Sequence, residues 1–323
     1  MREQENGRRT ARATSHTPVM DLDLPAGLTH RPLTLADAPA VLAAIAAEEV
    51  VDLGESTMTL EDVESDWLRP SYDIATSTVG VFDGDQLVAY ADLSAPSVAY
   101  TAVLPDHQGR GIGTALAGWV QDRARAGGSD RVGSQMPEGS AADRLMRDLG
   151  YEALWTAWDL ELPPEREIVA RPLPDGVTVS DASPSDREAA WTLLEDAFLE
   201  WSDRDRVSLD DFGARIWGRT GYEPWNLRLV RDARGELLGA THVHLAGGDD
   251  GTPSAYVAKI AVRPDQRGRG LAPAMLVDAF ALARAHGATR SYLSTDTRAG
   301  ARGLYERVGM VVTSTWVNRS IRL

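Results

Sequence analysis

The stretch that decides the fold is VLPDHQGRGIG, Val103–Gly113, which returns as VRPDQRGRGLA, Val262–Ala272. Every position of the second copy lies 159 residues after its counterpart (262 − 103). Each copy follows a run of strand-like apolar residues and opens an amphipathic helical pattern. Because self-similarity at a fixed offset marks a repeated structural unit, the sequence predicts two domains of related fold.

The repeated stretch has the properties of an anion-binding loop. Glycines without a Cβ let oxygen atoms approach the backbone, and N–H groups at the start of a helix attract negative charge. The spacing differs from the Gly-x-Gly-x-x-Gly dinucleotide motif and from a P-loop, which needs Gly-Lys-Ser/Thr. The residues predicted to hold a phosphorylated cofactor are Gln108, Gly109, Arg110, Gly111, Ile112 and Gly113 in the first copy, and Arg267, Gly268, Arg269, Gly270, Leu271 and Ala272 in the second.

Composition excludes several classes of function. The 323 residues carry a formal net charge of −15, which argues against nucleic acid and mildly favours cationic partners such as amines. There is no cysteine, so disulfides, thiolate metal sites and a cysteine nucleophile are excluded, and no metal site is predicted. No apolar run of the sequence approaches the roughly 18 residues of a membrane span. We expect a cytoplasmic protein that acts on neither membrane nor nucleic acid.

Proline, glycine and polar clusters predict the boundaries of the domains. Met20 is a candidate start of the organised chain, because the preceding residues are polar and lack an apolar pattern. Helices are predicted at 112–126 and 271–286, and the order of elements in each unit, β-α-α-β-β-β-α-β-α-β, indicates an α/β fold (α+β, with a mixed sheet). The predicted parts are a disordered tail at 1–19, a first domain at 20–163, a linker at 164–175 and a second domain at 176–323.

Two motifs together resemble a known family. Gln/Arg-x-x-Gly-x-Gly/Ala after a Val-x-Pro strand end is similar to motif A of the GNAT superfamily of N-acetyltransferases. Asp296–Met310, DTRAGARGLYERVGM, resembles a later helix of that family, whose tyrosine lies near the thioester sulfur. The resemblance implies two tandem GNAT-type domains, each with a mixed central sheet flanked by helices, that use acetyl-CoA to acetylate amines.

The resemblance also implies roles for individual residues of the second half. Tyr305 would protonate the departing CoA thiolate; the alternative to this role is packing on an apolar helix face. Thr297 stands where the family often has an asparagine near the cofactor, and Pro273 removes one N–H from the helix start. The strand residues whose backbone would pair with the pantetheine arm are Ile260, Ala261 and Val262.

The general base has several candidates. Tyr256 stands near the place where the family often has a glutamate, which leaves His242 and His244 on one face of a predicted strand. Histidine suits the removal of an amine proton near neutral pH. Either histidine could equally be structural, and Glu223 is a further candidate on a loop. An amine that arrives already deprotonated needs no strong base.

The first half keeps the loop but lacks the predicted proton donor. The position 159 residues before Tyr305 (305 − 159) is Met146, which the pattern predicts to be a core residue. A first half that holds acetyl-CoA without catalysing, beside an active second half, resembles the mycothiol-synthase type of acetyltransferase.

The sequence favours one function and leaves two others open. The favoured one is an N-acetyltransferase that moves acetyl from acetyl-CoA to a primary amine of a small molecule, by direct attack in a ternary complex in the second half. The alternatives are a non-catalytic acyl-CoA-binding or sensing protein and a peptide or protein N-acetyltransferase. Two units in one chain are compatible with a monomer and with a dimer.

Overall fold

The computed structural model describes residues 22–247 and 253–323. The predicted tail at 1–19 and the candidate start at Met20 lie outside these residues. Within them, twelve strands form one continuous mixed sheet that is flanked by helices. The predicted fold class is therefore confirmed. No helix in this part of the chain is long and apolar enough to cross a bilayer.

The first half contains three short or medium helices before its loop and two after it. The second helix begins at a capping box in which the Thr59 and Asp62 side chains bond to each other's backbone N–H. The elements are β1 (Leu28–Arg31), α1 (Ala38–Leu53), α2 (Leu60–Trp67), α3 (Ile74–Ser77), β2 (Thr78–Asp83), β3 (Gln86–Ala95), β4 (Val98–Val103), α4 (Ile112–Ala126), β5 (Arg131–Pro137), α5 (Ala141–Asp148) and β6 (Glu152–Leu162).

The second half repeats this order without a counterpart of α3 among the described residues. The predicted helix at 112–126 is confirmed at the same bounds, and the one predicted at 271–286 ends one residue earlier. The elements are β7 (Thr178–Asp181), α6 (Arg187–Leu199), α7 (Leu209–Arg215), β8 (Leu227–Arg231), β9 (Leu237–Gly247), β10 (Pro253–Val262), α8 (Leu271–Ala285), β11 (Arg290–Asp296), α9 (Arg302–Arg307) and β12 (Val311–Arg322).

The sheet joins the two halves by exchanging their last strands. Its strand order is β1-β2-β3-β4-β5-β12-β6-β11-β10-β9-β8-β7, which reads the same from either end once the halves are equated. Strand β6 of the first half pairs with β11 and β12, and β12 of the second half pairs with β5 and β6. The sheet thus crosses the predicted boundary at residue 163, and each half is completed by a strand from the other.

In each half, the helix that follows the repeated loop buries one face against the sheet. In α4, Ile112, Leu116 and Val120 recur at helical spacing and are buried, as the sequence pattern requires. In α8, Leu276, Ala279 and Phe280 do the same. Full burial of each large side chain contributes about 1.5–3 kcal/mol, so these faces fix the start of each helix at the end of the preceding strand.

Candidate active site

The loop of the second half has two backbone positions that favour glycine. Gly268 and Gly270 have φ of +77° and +80°, and a Cβ built on either would meet no atom within 4 Å. The backbone conformation, and not crowding, therefore requires glycine, and the loop faces open space. Gly270 caps α8 without a side-chain hydrogen bond, so the N–H groups of the first helical turn are available to an anion.

The loop of the first half has nearly the same backbone. Gly109 and Gly111 have φ of +71° and +89°. The φ and ψ of Gln108 are −68° and 160°, and those of Arg267 are −67° and 161°. The two copies are therefore structurally equivalent as well as similar in sequence.

The side chain of the first residue of each loop, Gln108 or Arg267, donates a hydrogen bond to the backbone at the end of the preceding strand. Arg267 donates from Nε to the Val262 carbonyl at 3.1 Å and from both Nη atoms to the Glu200 carboxylate at 2.7 and 2.6 Å. Gln108 donates from Nε2 to the Val103 carbonyl at 3.2 Å, and the same atom lies 3.4 Å from a Glu48 oxygen. Because these donors already have partners, anion binding falls mainly to the backbone N–H groups of the loops.

A cavity of about 730 Å³ opens beside the second loop, where β10 and β11 separate. These parallel strands pair only between Ser254–Tyr256 and Arg290–Tyr292. Beyond Tyr256, the β10 edge that faces β11 has no strand partner. The predicted binding residues that line this cavity are Ile260, Ala261, Val262, Arg267, Gly268, Gly270, Leu271 and Ala272.

Tyr305 lies on α9 and reaches both the cavity and the core. It is 7% exposed, it lines the cavity, and it packs in the apolar cluster that includes Phe280 and Met310. Burial raises the pKa of Tyr305 to about 12, against a hydrogen bond with Thr295 that lowers it. The phenol therefore stays protonated throughout the neutral range.

The two candidate histidines lie behind the cavity wall and are not among its lining residues. His242 is 2% exposed, neither ring nitrogen has a hydrogen-bond partner among the described residues, and burial holds its pKa well below the usual range. Burial and the charge of Arg219 lower the pKa of His244 to about 4, while Asp62, whose Oδ1 lies 3.7 Å from Nε2, opposes the shift. Both imidazoles are neutral at pH 7.

Two further predicted residues lie away from the cavity lining. Thr297 is exposed, and its backbone N–H donates to the Thr156 carbonyl at 2.9 Å. Glu223 is exposed and caps a helical turn, and one of its carboxylate oxygens accepts from Trp225 Nε1 at 2.9 Å. These contacts give both residues a structural explanation. Of the second-loop set, Arg269 is also absent from the lining.

A polar cluster between the halves was not predicted from the sequence. Ser294 lines the cavity, and its hydroxyl donates to Asp159 on the exchanged strand β6. The other oxygen of Asp159 accepts from Ser314 at 2.6 Å. Tyr256 is hydrogen-bonded to Ser294, and Glu49 has its pKa raised by burial and by the nearby charge of Asp159. This cluster leads from the cavity towards the first half.

Comparison with known families decides the chain's membership. A family model described as "Acetyltransferase (GNAT) family" matches residues 44–151 and 187–310. The chain belongs to the GNAT family of acetyltransferases. The two matched segments contain both glycine loops, so the predicted resemblance is confirmed for each half. As a GNAT acetyltransferase the chain uses an acyl-CoA.

Individual relatives match this chain over most of its length and support its membership of the GNAT family. A mycothiol acetyltransferase of Salinispora arenicola is 33% identical over 248 residues, which are 74% of this chain and 78% of that protein. A GCN5-related N-acetyltransferase structure from Sphaerobacter thermophilus has a TM-score of 0.71 and 26% identity, and the match covers 93% and 96% of the two chains. A tandem GNAT protein from the clavulanic acid biosynthesis pathway shares the fold, with a TM-score of 0.68, 16% identity and coverage of 91% and 98%.

Proposed function

We propose that this GNAT acetyltransferase moves an acetyl group from acetyl-CoA to the primary amine of a small molecule, with the chemistry in its second half. The observation that carries the proposal is the shared cavity of about 730 Å³, which Gly268, Gly270 and Tyr305 all line. A helix start suited to a pyrophosphate and a buried phenol thus open into one space. The corresponding position of the first half holds Met146, which has no proton to give.

The residues of the second half fit the parts of acetyl-CoA. The N–H groups from Gly268 to Ala272 would bind the pyrophosphate, and the open β10 edge from Ile260 to Val262 would pair with the pantetheine arm. Acetyl-CoA supplies the thioester that reacts. A backbone N–H of the same strand edge would hold the developing oxyanion. Tyr305 would donate its proton to the sulfur as the acceptor nitrogen attacks directly in a ternary complex.

The acceptor amine must lose a proton, and His244 is the better placed of the two histidines for this role. The described contacts run from the cavity through Ser294 and Tyr256 to the His244 ring, whose centroid is 5.5 Å from that of Tyr256. His242 is more deeply buried. We expect His244→Gln to lower kcat about tenfold, and the matched change His242→Gln to act mainly through stability. Equal kcat for His244→Gln and wild type would remove this residue from the mechanism.

The acceptor is proposed to bind where the cavity meets the polar cluster between the halves. Asp159, Glu49 and Asp62 give this side a negative character that suits an aminated, cationic acceptor. The amine that mycothiol acetyltransferases acetylate is the first candidate, because curated relatives of that name match most of this chain. A small amine is favoured over a peptide because the cluster lies between packed halves.

Two measurements test the proposed function. The protein should bind acetyl-CoA in a calorimetric titration, and it should release CoA thiol only when a suitable small amine is added. Initial-rate lines that intersect when both substrates are varied would support direct attack, whereas parallel lines would indicate a covalent acetyl-enzyme. Binding without release across a broad amine panel would favour the sensing alternative. Preferential release with peptides would favour the peptide acetyltransferase. No binding would contradict the proposal.

A further inference from the structure

Lys259 is the chain's only lysine, and it lines the same cavity as Tyr305 and the glycine loop. It lies on β10 just after a register shift that separates it from Val257, and directly before Ile260. Its position is thus one residue from the backbone proposed to contact the pantetheine arm. A four-carbon stem lets the amine move within this part of the cavity.

The Lys259 amine is held against aromatic rings and not by a carboxylate. Nζ lies 4.6 Å from the centroid of the Phe198 ring and 5.8 Å from that of Phe212. Phe198 is itself part of the cavity wall. Within 22–247 and 253–323, no hydrogen bond or ion pair ties this amine to another residue. The amine is therefore free to meet a molecule that enters the cavity.

The charged groups around Lys259 leave it without a dedicated counterion. Glu195 is the acid that most favours its charged form, but the Glu195 carboxylate accepts from Arg204 at 2.7 and 3.1 Å. Burial lowers the pKa of Lys259 to about 8, so much of the amine is neutral in mildly alkaline solution. The charged or titratable groups that face it are Glu195 on α6, Arg204 after it, Arg215 on α7, Asp66 on α2 and His242 on β9.

We propose that Lys259 is a self-acetylation site, which takes the acetyl group of acetyl-CoA bound in its own cavity. This inference rests on the proposed function, because it requires acetyl-CoA in that cavity. The amine nitrogen forms a bond to the thioester carbonyl carbon, the carbon–sulfur bond breaks, and its electron pair stays on sulfur. The nitrogen gives up one proton to solvent, the sulfur takes one from Tyr305, and solvent returns a proton to Tyr305. The products are an N-acetylated Lys259 and free CoA.

Two properties of the site favour this reaction over random acetylation. A desolvated, partly neutral lysine is a nucleophile at a pH where an exposed lysine is fully charged. The cavity would also hold the amine and the thioester together, which raises their effective concentration. Acetylation then removes a charge that burial already disfavours.

The test is to incubate the full chain with acetyl-CoA and no acceptor, then to measure intact mass and map the modified peptide. We expect one acetyl group at Lys259 and none at this position in Lys259→Arg, which keeps the positive charge. Below pH 8 the rate should rise about tenfold per pH unit, because the neutral fraction does. Gly270→Val, which strains the loop that binds the cofactor, should slow the reaction at least tenfold.

A parallel calorimetric titration with acetyl-CoA keeps the two proposals separate. If the protein binds acetyl-CoA but Lys259 gains no acetyl group, self-acetylation is wrong and the proposed function stands. If the protein binds no acetyl-CoA, both fail. An equal rate in Gly270→Val would show acetylation from bulk solution and overturn the inference. Thermal melts establish that Lys259→Arg is folded, and Lys259→Gln is a second variant should Arg not fit.

Discussion

The two glycine loops have nearly the same backbone and different surroundings. Gly111 and Gly270 both begin a fifteen-residue helix at φ near +80° to +90°. In the second half, the entry residue Arg267 donates to the exposed Glu200, and Tyr305 lines the cavity beside the loop. In the first half, Gln108 lies beside Glu48, whose pKa burial and the neighbouring acids raise to about 8. The two copies of the loop thus share a backbone conformation, while the second lies beside a cavity that a tyrosine also lines.

Met146 shows what the first copy does at the tyrosine position. It is 5% exposed and packs with Ala117, Tyr151 and Val317, the last of which belongs to the exchanged strand of the second half. Tyr305 also packs in the core, but it lines the cavity as well. The same place in the fold therefore serves packing in the first half, and in the second half it also lines the cavity.

Separating the two halves should have the largest effect, because each half is completed by a strand of the other. Expressed alone, a chain ending at residue 163 lacks β12, and a chain starting at residue 164 lacks β6. Each would expose strand edges and apolar surface that the other half covers. We expect neither to show a cooperative thermal transition, and co-expression to restore one. A cooperative melt of either half alone would contradict this expectation.

Tyr305→Phe tests whether the tyrosine hydroxyl, which the first half lacks at the equivalent position, takes part in catalysis. Removing the hydroxyl should lower kcat by about 10²–10³ while the Kd for acetyl-CoA stays within about twofold, because proton donation matters only as the thioester breaks. Steady-state kinetics and calorimetry measure the two quantities. Met146→Leu is the matched control, and we expect unchanged kcat because the volume of the core is nearly kept. An unaltered kcat in Tyr305→Phe would show that Tyr305 has a packing role and does not donate the proton.

Gly270→Val and Gly111→Val compare the two loops directly. Valine at a φ near +80° is strained by about 1–3 kcal/mol, so acetyl-CoA should bind the second loop about tenfold or more weakly. Gly111→Val carries the same backbone strain in the first loop, and we expect turnover to survive it. Calorimetric stoichiometry shows which site each change removes. Loss of turnover in Gly111→Val alone would place the working site in the first half.

Lys259→Met should show a smaller effect on stability that depends on pH. The pKa of Lys259 is about 8 in the folded protein, below its ordinary value of 10.5. Below pH 8 the Lys259 amine is charged in both the folded and the unfolded state, and burial of this charge destabilises the folded state. From pH 8 to 10.5 the unfolded state holds more protons, so wild-type stability rises with pH.

Methionine should therefore stabilise the protein by about 1 kcal/mol at pH 7, a gain that shrinks as pH rises. Chemical denaturation at several pH values measures it. Lys259→Arg keeps its charge over the whole range and is the control without this pH dependence. An equal gain at pH 7 and pH 10 would show that the methionine effect is packing alone.

The elements nearest the loops could be predicted because their signals are local. The helix at 112–126 has an apolar face and ends at a glycine pair, and both signals act within one helix length. The predicted order begins each unit with a strand, but the pattern gave no bounds for β1, because its four residues are too few to show a period. The predicted role of Tyr305 stays a prediction, and the structure adds that its side chain lines the same cavity as the glycine loop.

The sequence by itself determined the duplication, the two glycine loops and the presence of tyrosine in only one copy. These properties depend on residue type and on spacing within about ten to fifteen residues, where the backbone allows few arrangements. Only the tertiary structure decided the exchange of β6 and β12, the cluster of Ser294 with Asp159, and the place of Lys259 in the cavity wall. Such contacts join residues far apart in the chain, and sheet pairing and burial of the whole molecule select them.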